Sequence, residues 1–327
     1  MEEILIVQKE NMEKKNLEME VLSFHEKESL CENIFNQAGS FWHIFTPGEL
    51  TEVLFITKEE LMFAMNILGI CADKFKKVRI LTFEVMNNHL HLIVVAEEEE
   101  AREFFAFLRV RLSRYFSRNN RKVDLSKFEA TFLKIADLKQ LRNEIVYVNR
   151  NGFVVNSAYT PDTYPWGAGY LFFNRIYDYL NMKPYSSLKF REKRMICKSA
   201  DINLSESLMV IDGVIMPSSF CYIREAESYF RDAHQYFNML SKNYEAFSEI
   251  AKRLGDKVIL NDQEMYSAVC SLCYKRFQVK KPNELSPTSK LEMAKIMHFD
   301  LGANNKQIVR ILRLNTDLIE EMFPRAR

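Results

Sequence analysis

Between residues 35 and 170 the apolar positions change period along the chain. Ser40–Phe45, Val78–Val85 and His89–Val95 are short, β-branched or aromatic runs with side chains alternating at period two, which predicts strands. Lys58–Cys71, Ala101–Asn119 and Leu138–Arg150 repeat their apolar positions every three to four residues, which predicts helices. Strands and helices of this length, interleaved, predict an α+β domain with a sheet covered by helices on one face. Residues 1–34 are charged and helical in pattern, read as an N-terminal extension, a peripheral helix or partly disordered.

Beyond Leu171 the pattern turns helical. Tyr229, Phe230, Tyr236, Phe237, Leu240 and Phe247 recur at helical spacing, an aromatic stripe that reads as packed core. Asp201–Pro217 reads as a loop or short hairpin, and Pro282–Pro287 as a polar linker. A compact three-helix pattern follows. Thr288 or Ser289 caps its first helix, Gly302 supplies a left-handed turn, Lys306–Leu312 is its second helix, and Leu314-Asn315-Thr316 leads into a third. That order resembles the helix-turn-helix modules of bacterial regulators. Its third helix, however, carries Asp317, Glu320 and Glu321, while the basic residues are Lys306, Arg310, Arg313, Arg325 and Arg327. DNA binding through Lys306 and Arg310 and a protein-docking bundle both stay open. The expected division is 1–34, 35–172, 173–285 and 286–327.

The chain of 327 residues has a formal net charge of +1, so bulk charge does not announce a polyanion binder. Local charge changes the picture. Arg102, Arg109, Arg111, Arg114, Arg118, Arg121 and Lys122 face one acid, Glu103, over a single predicted helix and its end. This is either a phosphate rail or a solvated face balancing Glu97 to Glu100. Six scattered cysteines read as reduced thiols in a cytoplasmic protein, and Cys270 and Cys273 as two buried helix positions. No apolar run approaches the roughly 18 residues needed to span a bilayer, so no membrane role is expected.

Candidate chemistry centres on His89-Leu90-His91. Residues two apart on a strand project from one face, so the two imidazoles form a half-site for a divalent metal, Mg²⁺ or Mn²⁺; satisfied structural histidines are the alternative. Downstream, Tyr147 and Asn151 are one helical turn apart and face the same way, placing a hydroxyl nucleophile beside a third metal ligand. The alternatives are a core tyrosine and, because Gly152 follows, a helix C-cap at Asn151.

Met86-Asn87-Asn88-His89-Leu90-His91, Tyr147-Val148-Asn149-Arg150-Asn151-Gly152 and Asp162-Thr163-Tyr164-Pro165-Trp166-Gly167 occur in the order and spacing of a known family. Together with Phe41-Trp42-His43-Ile44 before Pro47-Gly48, they resemble the REP-associated tyrosine transposases of the HUH single-strand endonuclease superfamily. The likeness covers roughly residues 35 to 170. It departs at Asn87 and Gly152, where the family has proline, and at Lys127–Phe132, where a basic family segment is hardly recognisable. The resemblance implies a ferredoxin-like or RRM-like antiparallel sheet with the histidine strand central. It also implies Tyr147 as nucleophile, a metal at His89, His91 and Asn151, and single-stranded or hairpin DNA cut through a 5′-phosphotyrosine. DNA contacts are expected at Arg109, Arg111, Arg114, Arg118, Arg121 and Lys122. A domesticated, non-cleaving DNA-binding protein and an RNA-binding sheet are the competing classes, and monomer or dimer stays open.

Overall fold

The computed structural model describes residues 22–47, 54–155, 163–175, 180–242 and 262–324. The chain divides into two compact units, one of residues 1–152 and 159–241 and one of 153–158 and 242–327. The division falls inside the expected 173–285 region. Phe247 lies outside the described residues.

The first unit opens with helix α1 (Phe24–Ala38), followed by β1 (Phe41–Phe45), α2 (Lys58–Lys74), β2 (Arg79–Val85), β3 (Leu90–Val95), α3 (Glu98–Arg118), β4 (Thr131–Ile135) and α4 (Leu138–Val155). Strong caps start the early helices: Ser23 and Glu26 form a capping box at α1, as do Thr57 and Glu60 at α2. The four strands make one antiparallel sheet in the order β2-β3-β1-β4. The period-two pattern gave no range for β4. Its exposed and half-buried residues follow an edge position, where one face and one ladder are open and alternation is weak. Asn87 and Asn88 form the turn between β2 and β3, closed by the Met86 N–H donating to the His89 carbonyl at 2.9 Å.

Register divides the sheet into two unlike faces. Trp42, Ile44, Phe83, Val85, Leu90, Leu92, Val94 and Phe132 share one. α3 lies over it, with the Phe105 ring 6.3 Å from Phe132. On the other are Phe41, His43, Phe45, Thr82, Glu84, His91 and Ile93. α1 and α4 cover that side: Phe35 stacks on Phe41 at 4.6 Å, and Glu144 bonds His43. The sheet is therefore covered on both faces, not one. α1 is no peripheral extension, since Arg142 of α4 donates to its Glu28 at 2.7 Å.

Most of α2 is buried, from Phe63 to Ala72, while Lys58, Glu59 and Lys74 at its ends are exposed. A second small sheet explains its outer side. β5 (Lys183–Pro184), β6 (Met209–Ile211) and β7 (Val214–Ile215) form it, joined by α5 (Phe190–Cys197). The β6–β7 turn is the hairpin expected within Asp201–Pro217. Asn66 of α2 donates to the Gly213 carbonyl and accepts from the Ile215 N–H. A Cβ at Gly69 would lie 2.8 Å from the Ile215 methyl, so only glycine permits this approach. α6 (Ile223–Ser228) and α7 (Ala233–Lys242) complete the unit, and Tyr229, Phe230 and Tyr236 are core residues as expected, whereas Phe237 is exposed.

The second unit contains α8 (Asp262–Phe277), α9 (Pro287–Phe299), α10 (Asn305–Leu312) and α11 (Thr316–Met322). Met265, Val269, Cys273, Met297, Ile308, Leu312 and Ile319 are among its core. Cys273 is thus a packing residue, with Cys270 half-buried beside it. Pro282 and Leu285 are buried, so the expected polar linker is a packed 3₁₀ turn. The α9 cap is Ser286, whose hydroxyl accepts the Ser289 N–H; Pro287 then takes the first helical position, where its missing N–H costs nothing. Gly302 has φ 64°, as its turn requires, and Asn304 with Gln307 forms a capping box at α10. Among the described residues no helix is long and apolar enough to cross a membrane.

Candidate functional site

α4 crosses the polar sheet face with Glu144, Tyr147 and Asn151 spaced three and four residues apart on one side. Beneath it, a chain of bonded groups runs between elements. His43 Nδ1 lies 2.9 Å from Glu144 Oε2, and His43 Nε2 lies 2.9 Å from His91 Nδ1. All three residues are 0% exposed. With Glu144 accepting, the proton of His43 sits on Nδ1, so its Nε2 is the acceptor for His91 Nδ1–H. That order leaves the His91 lone pair on Nε2, the form in which imidazole ligates metal. The bond from His89 Nδ1 to Asn88 Oδ1, 2.6 Å, likewise makes Nε2 the nitrogen that this ring would offer.

Tyr147 sits against both rings, with centroids 5.6 Å from His91 and 6.1 Å from His43, and is 1% exposed. The His89 ring is 5.3 Å from His91. The structure thus brings Tyr147 to His91, and His91 to His89. α4 continues through Val155, so Asn151 is an interior helix position and not a C-cap. It is buried, and its Nδ2 has no hydrogen-bond partner among the described residues. Thr82 donates to Asn149 Oδ1, and Asn149 Nδ2 donates to Tyr236 Oη at 2.9 Å, fastening α4 to β2 and α7. Buried Arg150 is lowered to about 10 by desolvation and still carries its charge at neutral pH.

Glu84 was missed in the sequence. It lies directly across the β2–β3 ladder from His91, is 0% exposed, and neither carboxylate oxygen has a partner among the described residues. Burial raises its pKa well above the usual carboxylate range. The segment from the third motif builds the wall beside it. Val85 N–H donates to the Trp166 carbonyl, Ala168 N–H to that of Phe83, and Tyr164 Oη to that of Val85. A Cβ on Gly167 would come 2.6 Å from Glu84 Cδ, so glycine makes the room for this carboxyl. Asp162 lies outside the described residues. The signal in the sequence was the polar pair Thr82 and Glu84 at period two within an otherwise apolar strand. No three His, Cys, Asp or Glu side chains among the described residues gather as a metal site.

The basic helix lies elsewhere. α3 is on the opposite face of the sheet from the histidines, and several of its cations are engaged internally. Arg109 donates to the Leu125 carbonyl, Arg111 to that of Cys197, Arg118 to that of Lys198, and Arg121 to Leu54 and Glu60. Arg102 pairs with Glu98, as the solvated-face reading has it. Arg114 and Lys122 are exposed. A rail beside the histidine strand is therefore not what this helix forms. In the second unit Lys306 and Arg310 are exposed on α10, and Asp317, Glu320 and Glu321 on α11; Arg325 and Arg327 lie outside the described residues.

No family model, curated protein or solved structure matches the chain.

Proposed function

We propose that the first unit is a metal-dependent, single-strand DNA nuclease and strand-transferase of the tyrosine HUH type. The observation that carries this reading is the packing of Tyr147 against His91, whose ring in turn lies 5.3 Å from that of His89. The strand order β2-β3-β1-β4, with helical crossovers after β1 and β3, supports a ferredoxin-like sheet with the histidine strand central, in keeping with the same reading. His89, His91 and Asn151 would hold Mg²⁺ or Mn²⁺, Asn151 through Oδ1 after a half-turn of the amide whose Nδ2 has no partner among the described residues. The ion would offset charge on the non-bridging phosphate oxygens. The Tyr147 oxygen bonds to phosphorus, the bond from phosphorus to the 3′ oxygen breaks, and the released 3′-OH takes the proton. A 5′-phosphotyrosine results, and no organic cofactor is consumed. His43 and Glu144 orient His91 and fix its tautomer. The second unit, read as a helix-turn-helix-like module, adds affinity for flanking DNA through Lys306 and Arg310.

One observation favours a second reading, a non-cleaving binder of hairpin DNA. Tyr147 and His91 are both shielded from solvent, so strand entry requires the cover over them to open. Incubation with labelled hairpin DNA and Mn²⁺ separates the two. Wild type should yield a covalent protein–DNA band, and Tyr147→Phe should not. Binding without a band supports the second reading, and a band that persists in Tyr147→Phe removes Tyr147 as nucleophile.

A further inference from the structure

Buried polar groups nearly always find partners, so those that do not point to something that fills the place between them. Two such residues occur on the same sheet face under α4: Glu84 with both oxygens and Asn151 with its amide nitrogen. Glu84 and His91 are direct cross-strand neighbours, and such pairs hold their Cβ atoms about 4.5–5.5 Å apart. The α4 stripe runs from Glu144 over His43 to Tyr147 over His91, and its next turn is Asn151. The peptide at Gly167 walls the far side, and its missing side chain leaves the volume that the Glu84 carboxyl occupies.

We infer that Glu84 is a ligand of the divalent cation, binding together with His91 Nε2 and with Asn151 Oδ1, which a half-turn of the amide brings to the place held by its unpartnered Nδ2. This deepens the proposed nuclease reading and rests on it for the identity of the site. The ligand set is two hard oxygen donors and one imidazole, which suits Mg²⁺ or Mn²⁺ better than the softer thiolate-seeking metals. It also gives a structural reason for two features that packing leaves unexplained: a carboxyl on a buried strand face and a glycine pressed against it.

Mn²⁺ binding by the purified full chain tests this without DNA, read as loss of the free-ion paramagnetic resonance signal and as a rise in melting temperature with added ion. Wild type should bind one Mn²⁺, and Glu84→Gln should bind it at least about 10-fold more weakly. Gly167→Ala retains the carboxyl but displaces it, and should also weaken binding. It decides the matter if circular dichroism shows Glu84→Gln unfolded. His91→Ala marks full loss of the site. Equal Mn²⁺ affinity in wild type and a folded Glu84→Gln overturns the assignment of Glu84, as does absence of binding by wild type, the result expected if only water fills the gap. The nuclease reading fails separately: Mn²⁺ binding that depends on Glu84, with no covalent DNA band at Tyr147, leaves a metal site that does not cut.

Discussion

The two faces of the central sheet are equally buried and chemically opposite. On one, Ile44, Phe83, Leu92 and Val94 are buried on the side where Phe105 of α3 meets Phe132, and burial of apolar area does the stabilising. On the other, His43, Thr82, Glu84 and His91 meet Glu144, Tyr147, Asn149 and Asn151 under α4. Each of those groups loses its water on folding, and an equal volume of leucine and valine would pack there at no such cost. A face that keeps so many polar side chains dry, and leaves Glu84 without a partner, is arranged for something besides stability. The apolar face is a foundation, and the polar face holds the candidate site.

That contrast predicts a ranking. Phe104→Ala, at a fully buried position of α3, should destabilise the chain by about 3–5 kcal/mol, read from denaturant unfolding. Glu144→Leu should cost less, about 1–3 kcal/mol, because it removes a bond and strands the Nδ1–H of His43 while keeping apolar volume. It should nevertheless weaken Mn²⁺ binding, which Phe104→Ala should leave unchanged in the protein that remains folded. If Glu144→Leu stabilises the protein and leaves Mn²⁺ affinity untouched, the histidine relay has no part in the site.

The smallest expected effect concerns pH and the clamp of α1 on α4. Arg142, helped by Arg231, holds the Glu28 carboxyl below its usual pKa of 4.5. The unfolded chain therefore takes up this proton first as pH falls. The stability that the pair contributes is present in full above about pH 4.5 and drains away below it. Glu28 is 30% exposed, so solvent screening keeps the contribution to about 1 kcal/mol or less. Glu28→Gln should flatten the slope of stability against pH between about 3 and 5; an unchanged slope would show that the clamp is not electrostatic.

Much of this was legible in the residues themselves. Alternation placed β1, β2 and β3 to within a residue or two, and helical period placed α2, α3 and α4, because each element has one strong apolar face. β4 had no readable range because an edge strand has little alternation to read. The hold on Asn151 changed for a local reason: α4 runs one further turn, past a glycine that in isolation signals a helix end. The basic run of α3 was legible as charge but not as place. Which side of the sheet a crossover helix takes is a tertiary matter, and here it put the arginines away from the histidines.

The sequence by itself determined the periodicities, the caps at Ser23, Thr57 and Asn304, the turn at Gly302, and the pairing of faces for His89 with His91 and for Tyr147 with Asn151, since these depend on spacings of four residues or fewer. Only the tertiary structure brought His43 and Glu144 to His91, residues 48 and 101 positions apart along their bonds, and set Glu84 beside it against Gly167. A bulge after Ile80 in the β2–β3 ladder turns Arg79 and Thr82 to one face together, so register there follows pairing and not count. Strand pairing and helix placement are decided by contacts between distant residues, and no local pattern records them.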